Sequence, residues 1–453
     1  MKKQLFGTDG IRGVAGKYPL DPKTVYAAGL ALARHIHNPN AECSAAGGME
    51  VLIGMDTRES SKPIARQLAA GLTAGSAKPR SAGVITTAGV AHLTARGFAL
   101  GVMISASHNS FEDNGIKVFS PNGFKLPDAQ EAKVEQTIFE QLQQIINPVE
   151  RDLSIDPELA RSYLNYLLQA DGGTQELTPM KLIVDCANGA ASDLAPQLFQ
   201  GLGMKAEVIH CRPDGRNINK DCGSMNLDPL RAKVVAAGAQ LGVAFDGDAD
   251  RALFVAEDGS IVDGDAILLM AAEHLAAHNR LTNNLVVTTV MANMGLEKAL
   301  QKRGLCMART PVGDKYVLEE MVRRGAVLGG EQSGHIIFRE YATTGDGMLT
   351  ARMILRILSE TGKSLSTLKN DLAVFPQKLE NIRIKRKIPF EQVPALRDAV
   401  AQSEQELIGR GRVVVRYSGT EPLVRIMVEA EEMPLVDEHV RRLAGLFQAQ
   451  LGA

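Results

Sequence analysis

One pattern constrains the fold of this 453-residue chain more than any other, and it occurs three times. An apolar run ends in a polar turn, a helix-compatible stretch follows, and then a second strand opens on Leu-Gly. The first strands run from Val51 to Asp56, Leu182 to Asp185 and Leu285 to Thr289; the Leu-Gly strands start at Leu100, Leu241 and Leu328. Strands alternating with helices imply α/β sheets, and three copies in order imply three similar α/β domains. Every Leu-Gly strand enters a loop of unusual composition: SASHN, DGDADR or GEQSGH. Ligands of open α/β sheets sit beyond the strand ends, so each domain is expected to present one functional loop at the same topological place. From Leu379 the order becomes strand, helix, strand, turn, strand, helix, an α+β module with antiparallel strands. Turn and breaker residues near 147–152, 256–265 and 374–377 divide the chain into domains 1–150, 151–256, 257–374 and 375–453.

Composition removes several function classes. Lys+Arg of 50 against Asp+Glu of 52 leaves the chain nearly neutral, which argues against a nucleic-acid or anionic-membrane partner. There is no Trp and few other aromatics, so stacking platforms for single strands are not expected. Five cysteines without a CxxC pair fit reduced thiols, and the N-terminus lacks the apolar core of a signal peptide. No run of eighteen apolar residues is present. The expected location is the cytoplasm.

The strongest chemical signal is Asp246-Gly-Asp248-Ala-Asp250-Arg251, directly after an apolar strand. Three carboxylates at alternate positions of a tight turn can converge on one small hard cation, and oxygen-only donors favour Mg²⁺. A solvated Asp-Gly turn is the bland alternative, but the third carboxylate and the preceding strand weigh against it. In SASHN, Ser107 is a candidate nucleophile, although small polar residues are usually just turn formers. In Arg416-Tyr-Ser418-Gly419-Thr420-Glu-Pro-Leu-Val-Arg425, hydroxyls, backbone N–H groups and two guanidinium groups converge on one turn, the chemistry of a phosphate cradle. Glu331, Ser333 and His335 of GEQSGH can hydrogen-bond a polyol, with Gly313 and Asp314 of a second polar loop beside them as further substrate-binding candidates. The N-terminal FGTDGIRG, which carries Arg12, fits neither nucleotide-binding glycine motif. A free Ser is a poor nucleophile and has no Ser-His-Asp order here. A phosphorylated Ser beside Mg²⁺ answers that difficulty and points to phosphoryl transfer on a phosphosugar.

FGTDGIRG, SASHN, FDGDADR, GEQSGH and RYSGTEP, in that order and over essentially the whole chain, resemble the α-D-phosphohexomutase superfamily. The resemblance implies three similar α/β domains plus a C-terminal α+β phosphate-binding domain around a central cleft. It implies phosphorylation of Ser107, and one Mg²⁺ per subunit held by Asp246, Asp248 and Asp250 with the Ser107 phosphate. Arg12, Lys117 and Arg251 would line the transfer site, and Lys117 and His335 would move protons. Glu331 and Ser333 would hold the sugar, and Arg416, Ser418, Gly419, Thr420 and Arg425 the phosphate that is not transferred. GEQSGH resembles the amino-sugar branch, whereas the mannose/glucose branch tends to carry Met and Ala there. The implied reaction is an isomerisation between glucosamine 6-phosphate and glucosamine 1-phosphate, toward UDP-N-acetylglucosamine, with a hexosamine 1,6-bisphosphate as intermediate and activator. The alternatives are phosphomannomutase/phosphoglucomutase activity, an Asp-nucleophile phosphatase built on Asp246, or a non-catalytic phosphosugar binder. A homodimer is left open. Ser110 stands where the family usually has Pro, which implies a more mobile serine loop.

Overall fold

The computed structural model describes residues 4–7, 9–37, 48–145, 148–171, 177–417 and 422–453. The backbone forms two compact units: residues 1–289 with 307–370, and residues 290–306 with 371–453.

Three sheets in the first unit share one core arrangement. In the first, Glu50–Met55 pairs in parallel with Leu100–Ile104, which pairs antiparallel with Asp113–Phe119. In the second the equivalent strands are Lys181–Asp185, Leu241–Phe245 and Ala252–Ala256. In the third they are Leu285–Thr289, Leu328–Gly330 and Ile336–Phe338. Even the register repeats, with Leu100 opposite Val51, Leu241 opposite Leu182 and Leu328 opposite Val286. Gly10–Val14 and Phe6–Gly7 extend the first sheet, and Ile261–Val262 extends the second beyond Ala256. Leu100–Ile104 and Leu241–Phe245 are buried along their whole length, as strands covered on both faces must be.

The repeated glycine has a steric cause. A Cβ on Gly101 would lie 1.9 Å from Thr94 Oγ1, and one on Gly242 would lie 2.6 Å from Val234 Cγ2. On Gly329 it would meet Met321 Sδ at 2.5 Å. The clashing atoms belong to the helices Thr87–Thr94, Asp228–Ala237 and Asp314–Arg324. In each repeat the helix before the Leu-Gly strand therefore packs directly on its glycine. Each of the three functional loops is the connection from a Leu-Gly strand to its antiparallel return strand.

In the second unit, Gln377–Arg383, Leu423–Ala430 and Gly411–Tyr417 form an antiparallel sheet with Leu423–Ala430 in the centre. The helices Pro394–Glu406 and Met433–Leu451 share its core, which includes Leu396, Ile426, Leu443 and Phe447. The helix Met294–Lys302 belongs to this unit as well: Glu429 accepts from the Met294 N–H at 2.7 Å, and Arg412 donates to the carbonyls of Val290 and Ala292. Cys186, Cys211, Cys222 and Cys306 are free thiols, and Cys43 lies outside the described residues. Among the described residues no helix is long and apolar enough to cross a membrane.

Candidate active site

The serine loop is held from behind. Ser107 is buried and has φ of 53°, a left-handed conformation uncommon for a residue with a Cβ. Its N–H donates to Ser105 Oγ at 2.9 Å, and Ser105 in turn donates to Asp56. Arg58 is paired with Asp56 and donates to the carbonyls of Ser107 (3.0 Å), Asn109 (2.9 Å) and Ser110. Asn219, from the second domain, donates to the Ser107 and Asn109 carbonyls at 2.9 and 3.0 Å. These bonds leave the Ser107 hydroxyl directed at Asp246, to which it donates at 2.6 Å.

Asp246, Asp248 and Asp250 bring carboxylate oxygens within 4.8 Å of one another, and all three are buried. Asp248 Oδ1 and Asp250 Oδ1 have no hydrogen-bond partner. Buried carboxylate oxygens that accept no hydrogen bond are costly, and three hard donors gathered in one turn can hold a divalent cation. Burial pushes the Asp246 carboxyl well above the usual range, and the charges of Asp250 and Asp248 push it further. Burial also opposes the charge on Asp250, but Lys117, His335 and Arg251 outweigh it and hold that carboxyl low.

Lys117 is buried among Asp248 (2.8 Å), Asp9 (3.3 Å) and Asp250 (3.5 Å). Burial disfavours its ammonium, yet these carboxylates raise its pKa well above the ordinary value, so it stays charged. Asp9 also pairs with Arg12 and, at 2.5 Å, with Lys125, which reaches Asp314 at 2.5 Å. Arg251 donates its backbone N–H to Asp246 at 3.2 Å and lies 3.9 Å from Asp250. The Nε atoms of Arg12 and Arg251 are buried and donate no hydrogen bond, which leaves donors available to an anion. His108, 3.4 Å from Ser107 Oγ, is pushed down to about 4 by burial and by Arg251 and Arg12, so its ring is neutral near pH 7.

The third loop joins this cluster through His335. Its Nδ1 lies 3.6 Å from Asp250 and its Nε2 lies 3.7 Å from Asp314. Burial lowers its pKa, but Asp250, Asp314 and Glu331 raise it by more. The Gly345 N–H donates to His335 Nε2 at 3.0 Å, which requires a lone pair there and so places the ring proton on Nδ1. A Cβ on Gly345 would fall 2.5–2.6 Å from three ring atoms, so the glycine lies flat against the imidazole. Glu331 accepts from the Gly313 N–H at 3.1 Å, and Ser333 reaches Glu331 at 3.5 Å.

The geometry thus gathers Ser107, the three aspartates, Arg12, Lys117, Arg251, Asp314 and His335, with Glu331, Ser333 and Gly313 linked to one another at the third loop. Arg416 and Arg425 belong to the second unit and stand directly opposite each other on neighbouring antiparallel strands. Ser418, Gly419 and Thr420 lie outside the described residues. Sequence reasoning missed Asp9, Arg58, Lys125, Asn219 and Gly345. Asp9 had a signal, being three residues before Arg12 in a glycine-rich turn; Arg58, Lys125 and Asn219 sit in ordinary surroundings and act across long sequence separations.

The chain belongs to the phosphoglucomutase/phosphomannomutase family: its domain I model matches residues 3–144, alpha/beta/alpha domain II 161–259, domain III 263–375 and the C-terminal domain 379–446. Within that family, a curated relative from Solibacter usitatus is a phosphoglucosamine mutase, 51% identical over 453 residues and covering all of both chains. A crystal structure of a phosphoglucomutase/phosphomannomutase family protein from Burkholderia thailandensis has the same fold, with a TM-score of 0.80 at 24% identity over 99% of each chain. N-acetylphosphoglucosamine mutase from Aspergillus fumigatus, solved in complex with GlcNAc-6P and magnesium, superposes with a TM-score of 0.66 at 18% identity, over 99% of this chain and 96% of that one.

Proposed function

We propose that this enzyme is a phosphosugar isomerase that interconverts glucosamine 6-phosphate and glucosamine 1-phosphate, with phosphorylated Ser107 as the phosphoryl carrier. One observation carries the reading: Ser107 Oγ lies 2.6 Å from Asp246, at a buried three-aspartate cluster whose charge Lys117 only partly offsets. The full-length relationship to a phosphoglucosamine mutase supports the amino-sugar substrate.

In the first half-reaction the bond from phosphorus to Ser107 Oγ breaks and a bond to the free sugar oxygen forms, while the sugar hydroxyl passes its proton to His335 and the leaving Ser107 Oγ takes one up, which restores its hydroxyl. The resulting 1,6-bisphosphate presents its other phosphate to Ser107, and the reverse transfer restores the phosphoserine. Asp246, Asp248 and Asp250 would hold one Mg²⁺ per chain, which when bound withdraws charge from the phosphoryl oxygens. Arg12, Arg251 and the charged Lys117 would bind the phosphoryl group and stabilise the charge that develops on it. Lys117, held charged by its three carboxylates, acts as a fixed cation and not as a base, and His335 is the proton carrier near the sugar. Glu331, Ser333, Gly313 and Asp314 would orient the sugar, and Arg416 and Arg425, with Ser418, Gly419 and Thr420, would take the other phosphate. We assign the four domains to 1–150, 151–256, 257–374 and 375–453, and the cytoplasm as the site of action.

A coupled assay of the phosphorylated enzyme with Mg²⁺ tests the substrate. Turnover of glucosamine 6-phosphate is expected to exceed that of mannose or glucose phosphates. A higher kcat/KM on either hexose phosphate would overturn the amino-sugar assignment.

A further inference from the structure

The helices Gly264–Ala277 and Gly347–Thr361 both begin at the third-domain loops of the site. The Gly264 N–H donates to the Gln332 carbonyl at 2.9 Å, and Asp346, which caps the second helix, follows the Gly345 that holds His335. Their far ends carry a second cluster. His274 Nδ1 and His278 Nε2 face the same oxygen, Glu360 Oε2, at 3.6 and 3.4 Å. The three ligand atoms lie within 4.8 Å of one another. At 1.5 Å per residue, a helix of this length places the cluster roughly 20 Å from the catalytic loops.

The hydrogen bonding of His278 determines which of its nitrogens is available. Nδ1 lies 2.8 Å from the His274 carbonyl oxygen, and a carbonyl can only accept, so Nδ1 carries hydrogen. In the neutral ring the lone pair is then on Nε2, aimed at a carboxylate oxygen. Two acceptors at 3.4 Å repel unless a positive charge lies between them. Backbone anchoring of one imidazole nitrogen, with the other turned outward, is the usual support for a metal-binding histidine. Arg356 Nε lies 3.6 Å from the other Glu360 oxygen, which leaves Oε2 to the imidazoles. Arg280, also near His274, is itself paired with Asp171 at 2.8 Å.

We propose that His274, His278 and Glu360 form a second metal site, for a divalent transition metal of the Zn²⁺ class. Bonds of about 2.0–2.2 Å at tetrahedral angles separate ligand atoms by roughly 3.4 Å, close to the spacings found. Two imidazoles and one carboxylate suit Zn²⁺ or Co²⁺ and not Mg²⁺, which prefers oxygen. His278 and Glu360 are solvent-accessible and give the ion a route in. Such an ion ties together the ends of two helices whose other ends position the catalytic loops.

The test uses the full chain in saturating Mg²⁺, with Zn²⁺ uptake followed by equilibrium dialysis and Co²⁺ by its visible absorption. The expected result is one equivalent bound by the wild type and by Asp248→Asn, and none of it by His278→Ala or Glu360→Gln. Zn²⁺ should raise the melting temperature of the wild type but not of those two variants, whose mutase activity in Mg²⁺ stays unchanged. Glu360→Gln keeps the side-chain shape, so the comparison holds even if His278→Ala folds poorly. Equal uptake by the wild type and Glu360→Gln, or uptake lost only in Asp248→Asn, would reduce the cluster to a histidine–glutamate ion pair and overturn the proposal.

Discussion

Ser107 combines a left-handed backbone with a hydroxyl aimed at Asp246, and Arg58 is what makes the two compatible. Its guanidinium, fully buried against Asp56, takes the carbonyls of Ser107, Asn109 and Ser110 at once. Lysine keeps the charge but not the planar fork. Arg58→Lys is expected to fold and to lose about tenfold or more in kcat, as misplaced reacting groups do; unchanged kcat would show that the loop holds its shape without the fork. His92 offers a residue-scale test of stability. It stacks on Tyr166 and accepts from Arg96 at 3.0 Å, and burial, with Arg96, pushes its pKa down to about 3. Because the folded value lies below the ordinary 6.5, the stability it contributes is present above pH 6.5 and is lost as pH falls toward 3. Near pH 4.5 the loss is on the order of 2 kcal/mol. His92→Phe should keep the ring and flatten the urea midpoint between pH 7 and 4.5; an equally steep decline in both proteins would contradict this.

At the scale of elements, the Leu-Gly strand is the unit that recurs, and its glycine is where a helix touches the sheet. A side chain there forces the helix away from the strand that carries a functional loop. Gly242→Val should lower the denaturation midpoint by an amount equivalent to roughly 1–3 kcal/mol, the usual cost of overpacking, and should weaken activity by shifting the Asp246 loop. A midpoint equal to wild type would mean that the helix yields freely. This repeat was legible in the sequence because strand, turn and loop are each local, and Leu-Gly marks the register. The three aspartates and Ser107 were legible for the same reason. Arg58, Lys125 and Asn219 were not, because what they do depends on partners about 50 to 190 residues away. Gly345 was hidden differently: its role comes from lying flat against the His335 ring, and nothing in its neighbours announces that contact.

Across the molecule, three copies of one sheet place a serine, a carboxylate cluster and a histidine loop at equivalent strand ends, and the first unit brings them into one charged network. That network alternates in sign from Asp314 through Lys125, Asp9 and Lys117 to Asp248. Each charge in it faces at least one of opposite sign, which explains why so many ionisable side chains tolerate burial here. In the C-terminal unit, Arg416 stands opposite Arg425 on a sheet of different topology. Turnover in this mechanism depends on Ser107 as the phosphoryl carrier. Peptide mass spectrometry of the active enzyme, paired with turnover of Ser107→Ala, tests that most directly. One phosphate on Ser107 and loss of essentially all turnover in the variant are predicted. Substantial turnover by Ser107→Ala, or an active enzyme whose phosphate sits on another residue, would contradict it.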